Sequence, residues 1–387
     1  MKIQYTPTNN INKSAKVGSA PTNCTPKSVK VFFILGRNPK LSHAEVSAYM
    51  RSRNRIYREI LFEENILVLE VNENEKFDIQ EFGGIMKLGK IIFEGTEENL
   101  TTYLQKNEII PADKFSYVTV GNMEPELLKE KFKSEKKKAI FKHGRKRIKF
   151  QDGGKQELPN VDFTIFYYLD KNKIYLGTAT QTYDYYFVKE RDMSKPIRRE
   201  HLAISPRLSK ILINLSGAKP HDLLLDPFCG VGGILQEALL KRINVYGIDK
   251  DNQAIKDAGE NLRWFTEKYY IKSRYTLENR DSKKAPDLQF KAIATETPLG
   301  KVLRRKPNDE EAKKIIQNFE AYIIPILIRM KKIKKSNAKI AMTLPIIRTI
   351  KVNEQKISNK TGLKIILNPI LESRPDQFIS RDFVVFQ

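Results

Sequence analysis

The stretch Leu223-Leu-Leu-Asp-Pro-Phe-Cys-Gly-Val-Gly-Gly233 predicts the fold of the second half of the chain. A short apolar strand ends at Asp226, and three glycines then form a turn directly before a helical segment. A turn of this kind, between the first strand and the first helix of a parallel sheet, places a ligand at a helix N-terminus. From Asp222 onward strand and helix patterns alternate, which predicts an α/β domain whose parallel sheet has helices on both faces.

Two further acids follow the next two predicted strands. The strand Val245-Tyr-Gly-Ile-Asp249 ends in an acid about twenty residues after the glycine turn, where a nucleotide-binding sheet puts the carboxylate that grips the ribose hydroxyls. Asp281 follows the third strand, where an adenine amine could be recognised. Each acid alone fits ordinary turn chemistry, but three after successive strands favour a ligand site.

The acid at the start of the glycine turn favours a methyl donor over a dinucleotide. Asp226 would accept hydrogen bonds from an amino-acid ammonium group, directly or through water, and it would repel a pyrophosphate. S-adenosylmethionine carries a methionine head and no phosphate. The residues predicted to bind S-adenosylmethionine are Asp226, Phe228, Gly230, Gly232, Gly233, Asp249 and Asp281.

Composition narrows the class of protein. The chain has 387 residues, 40% of them hydrophobic, and no apolar run approaches the roughly 20 residues of a membrane helix. Its two cysteines, Cys24 and Cys229, are too few for a disulfide framework or a Cys-based metal site, and its four His show no ligand spacing. We therefore expect a cytoplasmic protein without a metal and without a membrane partner.

The formal net charge of +23 indicates a polyanionic partner. Both halves are positive, which makes nucleic acid the favoured partner, although biased composition remains an alternative. The densest charge run, 129–149, is interpreted as an RNA-contacting surface, or else as a solvated helix face with a loop. The predicted contacts in this run are Lys136, Lys137, Lys138, Arg145, Lys146 and Arg147.

The first half of the chain predicts smaller α+β units. Val31–Leu35 has a strand pattern, and Leu41–Tyr49 has helical spacing in which Ser42 and Glu45 are typical of a capping box. A second helix is predicted over 124–138. The predicted divisions are a flexible basic leader at 1–28, domains at 29–95 and 96–190, an exposed linker at 191–206, and the α/β domain at 207–387.

These segments, in this order, resemble the archaeal and eukaryotic THUMP-domain tRNA guanine-N2 methyltransferases. The resemblance rests on the 226–233 loop, on Gly247-Ile-Asp249, on Phe33-Ile-Leu-Gly-Arg-Asn-Pro39 and on Gly83-Gly-Ile-Met-Lys-Leu-Gly89. It implies a Rossmann-like S-adenosylmethionine-dependent methyltransferase domain, preceded by a ferredoxin-like domain at 29–95 and a THUMP domain at 96–190 that holds the acceptor end of tRNA. The implied reaction methylates the exocyclic amine of a guanosine near the base of the D arm.

One motif departs from the family pattern. Amino-methylating members carry Asp/Asn-Pro-Pro-Tyr/Phe after the fourth strand, whose acid or amide and proline carbonyl orient the target amine while the aromatic ring stacks on a flipped-out base. The corresponding residues here are Glu296-Thr-Pro-Leu299, so a carboxylate remains but the stacking face is lost. The resemblance assigns catalysis to Glu296, Pro298 and Leu299.

A basic segment follows this motif, and Lys301, Arg304 and Arg305 are predicted to contact phosphates beside the reacting nucleotide. Two other functions stay open: a tRNA-binding THUMP protein with a degenerate catalytic motif, and a DNA amino-methyltransferase.

Overall fold

The structure, a computed structural model, describes residues 2–5, 27–143, 160–199, 204–298, 305–373 and 379–387. The strands of its larger sheet are β1 (Lys2–Tyr5), β10 (Leu223–Asp226), β11 (Asn244–Asp249), β12 (Tyr275–Asn279), β13 (Ala292–Thr295), β14 (Ile340–Ile347), β15 (Ile350–Lys351), β16 (Ile365–Glu372) and β17 (Ile379–Phe386). Across the sheet they have the order β1-β12-β11-β10-β13-β14-β17-β16, with β15 paired to β14. The central strands β12, β11, β10, β13 and β14 are parallel, whereas β17 is antiparallel to β14 and β16 is antiparallel to β17.

Helices cover both faces of this larger sheet. They are α5 (Pro206–Leu215), α6 (Gly233–Leu240), α7 (Asn252–Lys268), α8 (Asp309–Ile333) and α9 (Glu354–Thr361). Helices α5, α6 and α7 pack in one apolar core, while α8 and α9 pack in the core on the other face. The predicted α/β class is therefore confirmed, with two antiparallel strands closing one edge.

The first half of the chain forms a second sheet, in the order β3-β4-β2-β5-β9-β8-β6-β7. Its strands are β2 (Ser28–Leu35), β3 (Tyr57–Glu63), β4 (Ile66–Asn72), β5 (Ile85–Gly95), β6 (Lys114–Val120), β7 (Lys138–Phe141), β8 (Phe163–Asp170) and β9 (Lys173–Thr182). The helices are α1 (Pro39–Ser52), α2 (Glu97–Lys106), α3 (Glu126–Ser134) and α4 (Tyr185–Met193). Because β5 pairs with β9, the two segments predicted as separate domains contribute to one continuous sheet.

Three segments differ from the sequence predictions. Lys2–Tyr5, inside the predicted leader, is an edge strand paired with β12, while 6–26 lie outside the described residues. The helix predicted over 124–138 stops at Ser134, because Lys136 takes a left-handed φ of 58° and the chain then enters β7. The predicted exposed linker begins inside α4, where Arg191 is buried.

The predicted capping box is wrong. Asn38 caps α1, and its side chain accepts the hydrogen bond from Leu41 N. Glu45 lies instead in the interior of the protein, where its carboxylate accepts hydrogen bonds of 2.7 Å from the backbone N–H groups of Gly83 and Gly84. The spacing of Ser42 and Glu45 matched a local motif, whereas the real partners are distant in sequence.

Glu45 belongs to a buried polar network that joins the two halves of the chain. Asn214 of α5 donates to Glu45 Oε1 at 2.7 Å, and Lys241, directly after α6, donates to Glu81 O at 2.8 Å. Arg191 binds Glu237 of α6 with two hydrogen bonds of 3.0 and 2.9 Å. We call this set of contacts the junction network.

Gly83 is required at this junction by the close approach of α5. A Cβ atom there would lie 1.9 Å from the carbonyl oxygen of Arg207, and the Arg207 Nε in turn donates to Gly83 O at 2.6 Å. The motif Gly83-Gly84 therefore serves the contact between the two halves.

Breaking the Arg191–Glu237 pair is expected to destabilise the fold. In the variant Arg191→Met, Glu237 stays buried with only the Lys210 ammonium, 3.8 Å away, as a charge partner. Removing one member of a buried pair costs about 3 to 5 kcal/mol, and we expect about 3 kcal/mol here because Lys210 compensates in part. Urea unfolding monitored by fluorescence measures the change.

The matched control is Arg58→Met, which removes an Arg from the exposed pair with Glu70. Exposed pairs contribute less than about 1 kcal/mol. Equal losses in the two variants would contradict a stabilising role for the buried pair.

Candidate functional site

Three carboxylates meet at the carboxyl ends of neighbouring strands of the larger sheet. Asp226 ends β10, Asp249 ends β11 and Glu296 follows β13. The charges of Asp249 and Glu296 both act on the Asp226 carboxyl group, so the three acids share one region. In open α/β sheets this edge is where ligands bind.

Asp226 is the buried member of the group, with 1% of its surface exposed. Its Oδ1 accepts hydrogen bonds from Thr295 Oγ1 at 2.6 Å and from Phe228 N at 3.1 Å. Burial raises the pKa of Asp226 to about 7, and the neighbouring acids add to the shift while these two hydrogen bonds oppose it. The carboxylate is therefore placed where a cation would stabilise its charge.

The glycine loop leaves room beside these acids. Gly230 and Gly232 have φ angles of 49° and 89°, in the left-handed region that glycine adopts without strain. Gly230 N donates to Asp249 Oδ2 at 3.0 Å, which ties the loop to β11. A Cβ atom at Gly230 would meet no atom within 4 Å, so the space beside Gly230 is open, and Gly233 then begins α6.

Tyr322, an aromatic residue that the sequence prediction missed, lies near the predicted adenosine-binding residues. Tyr322 of α8 lies 6.1 Å from Phe228 between ring centroids, and the charges of Asp281 and Asp249 help raise its pKa after burial itself. Asp281 also caps a 3₁₀ turn by accepting from Lys283 N. Tyr322 escaped notice because an aromatic residue at helical spacing is ordinarily a core residue.

Glu296 is paired with an arginine that the sequence also did not indicate. Arg381 Nη1 of β17 lies 3.0 Å from Glu296 Oε1. Burial raises the pKa of Glu296, while the Arg381 charge opposes the shift. Among the described residues, Glu296 Oε2 has no hydrogen-bond partner, so it is available to a ligand.

The segment after Glu296 is held by the neighbouring strand. Thr297 N donates to Thr343 Oγ1 at 3.2 Å, and Thr297 Oγ1 donates to Thr343 O at 2.7 Å. These bonds fix the backbone that leads to Pro298. Leu299, the third predicted catalytic residue, lies outside the described residues, as do Lys301 and Arg304.

The predicted RNA contacts have different environments. Lys136 and Lys138 flank Lys137 beside β7, and Arg305 pairs with Glu311 of α8. Lys137 is 5% exposed in its side chain and its ammonium binds Glu108 at 2.6 Å, so it stabilises the fold and is not open to a phosphate. Arg145, Lys146 and Arg147 lie outside the described residues.

Neither a membrane helix nor a metal centre emerges from the part of the chain that the structure describes. No helix in it is both long and apolar enough to cross a bilayer. No group of three or more His, Cys, Asp or Glu side chains in it could hold a metal ion.

Two family models match the chain. One, described as "RMKL-like, methyltransferase domain", matches residues 197–325. The other, described as "DNA methylase", matches residues 35–260, more than half of the chain. The first contains the glycine loop, all three carboxylates of the site and Tyr322.

A solved structure shares the fold of nearly the whole chain. The crystal structure of TrmN from Thermus thermophilus has a TM-score of 0.52 with 12% sequence identity, over 92% of this chain and 99% of that one. At this identity the likeness shows the fold alone.

Curated relatives match part of the chain. The tRNA (guanine(10)-N2)-dimethyltransferase of Methanothermobacter thermautotrophicus is 36% identical over 30% of this chain and 33% of its own length. A protein of Methanothermococcus thermolithotrophicus, named "Probable tRNA (guanine(10)-N2)-dimethyltransferase", is 34% identical over 27% of this chain and 67% of its own length. The chain thus spans about a third of the first relative but two thirds of the second. It belongs to the methyltransferase family that contains the archaeal tRNA (guanine(10)-N2)-dimethyltransferases.

Proposed function

We propose that the chain is an S-adenosylmethionine-dependent tRNA methyltransferase that acts on the exocyclic amine of a guanosine. The observation that carries the proposal is the meeting of Asp226, Asp249 and Glu296 beside a glycine loop that has open space at Gly230. The first two acids suit a methyl donor, and the third suits an amine acceptor. The curated names of the relatives supply the substrate class.

The donor set fits S-adenosylmethionine. Asp226, buried and with a raised pKa, would accept from the ammonium of the methionine head. Asp249 would accept from the ribose hydroxyls, while Phe228, Tyr322 and Asp281 would contact the adenine. Gly230, Gly232 and Gly233 let the ligand approach the backbone. The bound cofactor supplies an electrophilic methyl group.

The acceptor side of the site is built on Glu296. An exocyclic amine loses a proton when it gains a methyl group, and Oε2 of Glu296 can accept first the hydrogen bond and then the proton. Arg381 holds Oε1, and its charge opposes the rise in the pKa of Glu296 that burial causes. Pro298 would accept a second hydrogen bond through its carbonyl, and Leu299 would give the base an apolar contact.

The first half of the chain would bind the RNA. We assign 29–95 to a ferredoxin-like domain and 96–190 to a THUMP domain that holds the acceptor end of tRNA, with cytoplasmic tRNA as the partner. The net charge of +23 and the exposed lysines Lys133, Lys136 and Lys138 beside β7 support a phosphate-binding surface there.

Cofactor affinity is expected to depend on pH through Asp226. The ionised carboxylate binds an ammonium group better than the protonated one does, and the Asp226 pKa is about 7. Binding therefore releases a proton below that pH, and affinity for S-adenosylhomocysteine should rise by up to about tenfold from about pH 6 to pH 7.5. Calorimetry across this range measures it.

The control for this effect is Asp226→Asn, which should bind more weakly and lose the pH dependence. An unchanged pH profile in that variant would remove Asp226 from cofactor binding.

Glu296 and Arg381 are expected to act as a pair. Glu296→Gln should lower kcat by about 10²- to 10⁴-fold, since general-base groups contribute on this scale. Arg381→Met raises the pKa of Glu296 further, so the acid limb of the kcat profile should move to higher pH, with activity recovering in alkaline buffer. Arg381→Lys keeps the charge and should restore the profile. A uniform loss of rate at every pH would indicate a merely structural role for Arg381.

A second candidate, a DNA amino-methyltransferase, is favoured by the DNA methylase model that matches 35–260. Labelled methyl transfer to unmodified tRNA and to duplex DNA distinguishes the two. We expect incorporation into guanosine of tRNA alone. Incorporation into DNA alone would reverse the assignment, and cofactor binding without transfer to either would favour a tRNA-binding protein with a degenerate motif.

A further inference from the structure

A cleft of about 450 Å³ lies between the two halves of the chain, apart from the candidate site. It contains five cations and one acid, namely Arg51, Lys219, Lys291, Lys335, Lys339 and Asp222. Arg51 lies in the last turn of α1, and Lys219 and Asp222 lie between α5 and β10. Both halves therefore contribute to it, and we call it the basic cleft.

The basic cleft is at the opposite edge of the larger sheet from the three carboxylates. Asp222, Lys291 and Lys339 directly precede β10, β13 and β14, whereas Asp226 ends β10 and Glu296 follows β13. A strand of four residues such as β10 spans about 13 Å. A ligand in the basic cleft would thus be separate from the reacting nucleotide.

The positive charge of the basic cleft is only partly balanced by the protein. Lys291 pairs with Asp222 at 2.9 Å, but the other four cations make no ion pair with any carboxylate in the described residues. Two helices, α1 and α5, end at the cleft, and each C-terminus is equivalent to roughly half a negative charge. When Asp222 and the two helix ends are subtracted from the five cations, a net charge of about +3 remains in the basic cleft. The helix ends alone therefore do not balance the cations.

The surplus cations also act on one another. Lys339 is half-buried, and its pKa is lowered by burial and by the nearby charge of Arg51. An anion between these side chains would relieve both effects. A single carboxylate would not balance the remaining charge, whereas two or three phosphates would.

We propose that the basic cleft binds phosphate groups, and that these belong to the backbone of the RNA substrate at a segment away from the reacting nucleotide. The choice of RNA rests on the proposed function. The basic cleft lies between α1 and the larger sheet. RNA bound there would therefore contact both halves of the chain. The other source of the same chemistry is a free polyphosphate.

The test compares the triple variant Arg51→Ala/Lys219→Ala/Lys335→Ala with the control Lys256→Ala/Lys272→Ala/Lys360→Ala. The control removes three exposed lysines that lie outside the cleft and make no ion pair in the described residues. Binding of unmodified tRNA is measured without cofactor across a salt series. Each lost phosphate contact lowers the slope of log K against log salt by about 0.7 to 0.9.

We expect the triple variant to lose about two in this slope and about tenfold or more in affinity, while the control changes by less than about twofold. The single variant Lys335→Ala, with a slope loss of about one, guards against misfolding of the triple variant. Calorimetry with inorganic triphosphate forms a second arm: loss of triphosphate binding with unchanged tRNA binding would make a free polyphosphate the ligand.

Equal slopes in the triple variant and the control, with triphosphate binding unaffected, would overturn the proposal. These measurements need no methyl transfer. If no methyl transfer occurs but the slope changes in the triple variant, the proposed reaction is wrong and phosphate binding in the basic cleft is supported. If the enzyme is active but the slope does not change, only the proposal for the basic cleft is wrong.

Discussion

The carboxylate of Glu45 is the constraint on which the arrangement of the two halves depends. It is fully buried, and burial raises its pKa while the N–H groups of Gly83 and Gly84 and the amide of Asn214 oppose that shift. Because a buried carboxylate without partners is costly, these donors from both halves have to come together. Lys241 is buried in the same network, where desolvation lowers its pKa to about 8 although Glu81 stabilises its charge. The hydrogen bonds of the junction network therefore form only when the two halves dock so that these donors reach Glu45 and Glu81.

Local signals in the sequence account for the long helices. Asn308 and Glu311 form a real capping box at the start of α8. Helix α7 likewise begins at a local cap, where the Asp251 side chain accepts from Gln253 N. Ser42 and Glu45 have the same spacing as a capping box, yet Glu45 serves the junction. A local rule cannot distinguish these cases, since the deciding partners of Glu45 lie 38 and 39 residues away.

The residues of the candidate site also fall into two groups, those that local sequence signals predict and those that only distant contacts place there. Asp226, Asp249 and the glycine loop were predictable because they follow strands in chain order, and parallel strands bring their carboxyl ends to one edge. Arg381 was not, since it reaches Glu296 only through the pairing of β13 with β14 and of β14 with β17. Tyr322 lies on a helix whose pattern indicates only packing. The sequence therefore predicted the acids of the site and missed two side chains from distant elements, Arg381 beside Glu296 and Tyr322 beside Phe228.

The clustering of three acids has a consequence for the ligand. Burial and the charges of Asp249 and Glu296 disfavour ionisation of Asp226, so a cation bound beside Asp226 would be stabilised more than a neutral molecule of the same shape. Arg381 pairs with Glu296 but lies on β17, which two strands, β13 and β14, separate from β10, so its positive charge is placed on the Glu296 side of the site. A methyl donor with a positive sulfonium and an ammonium matches this distribution, whereas a ligand that has lost the sulfonium charge matches it less well. The same electrostatics would therefore favour entry of the donor and exit of the spent cofactor.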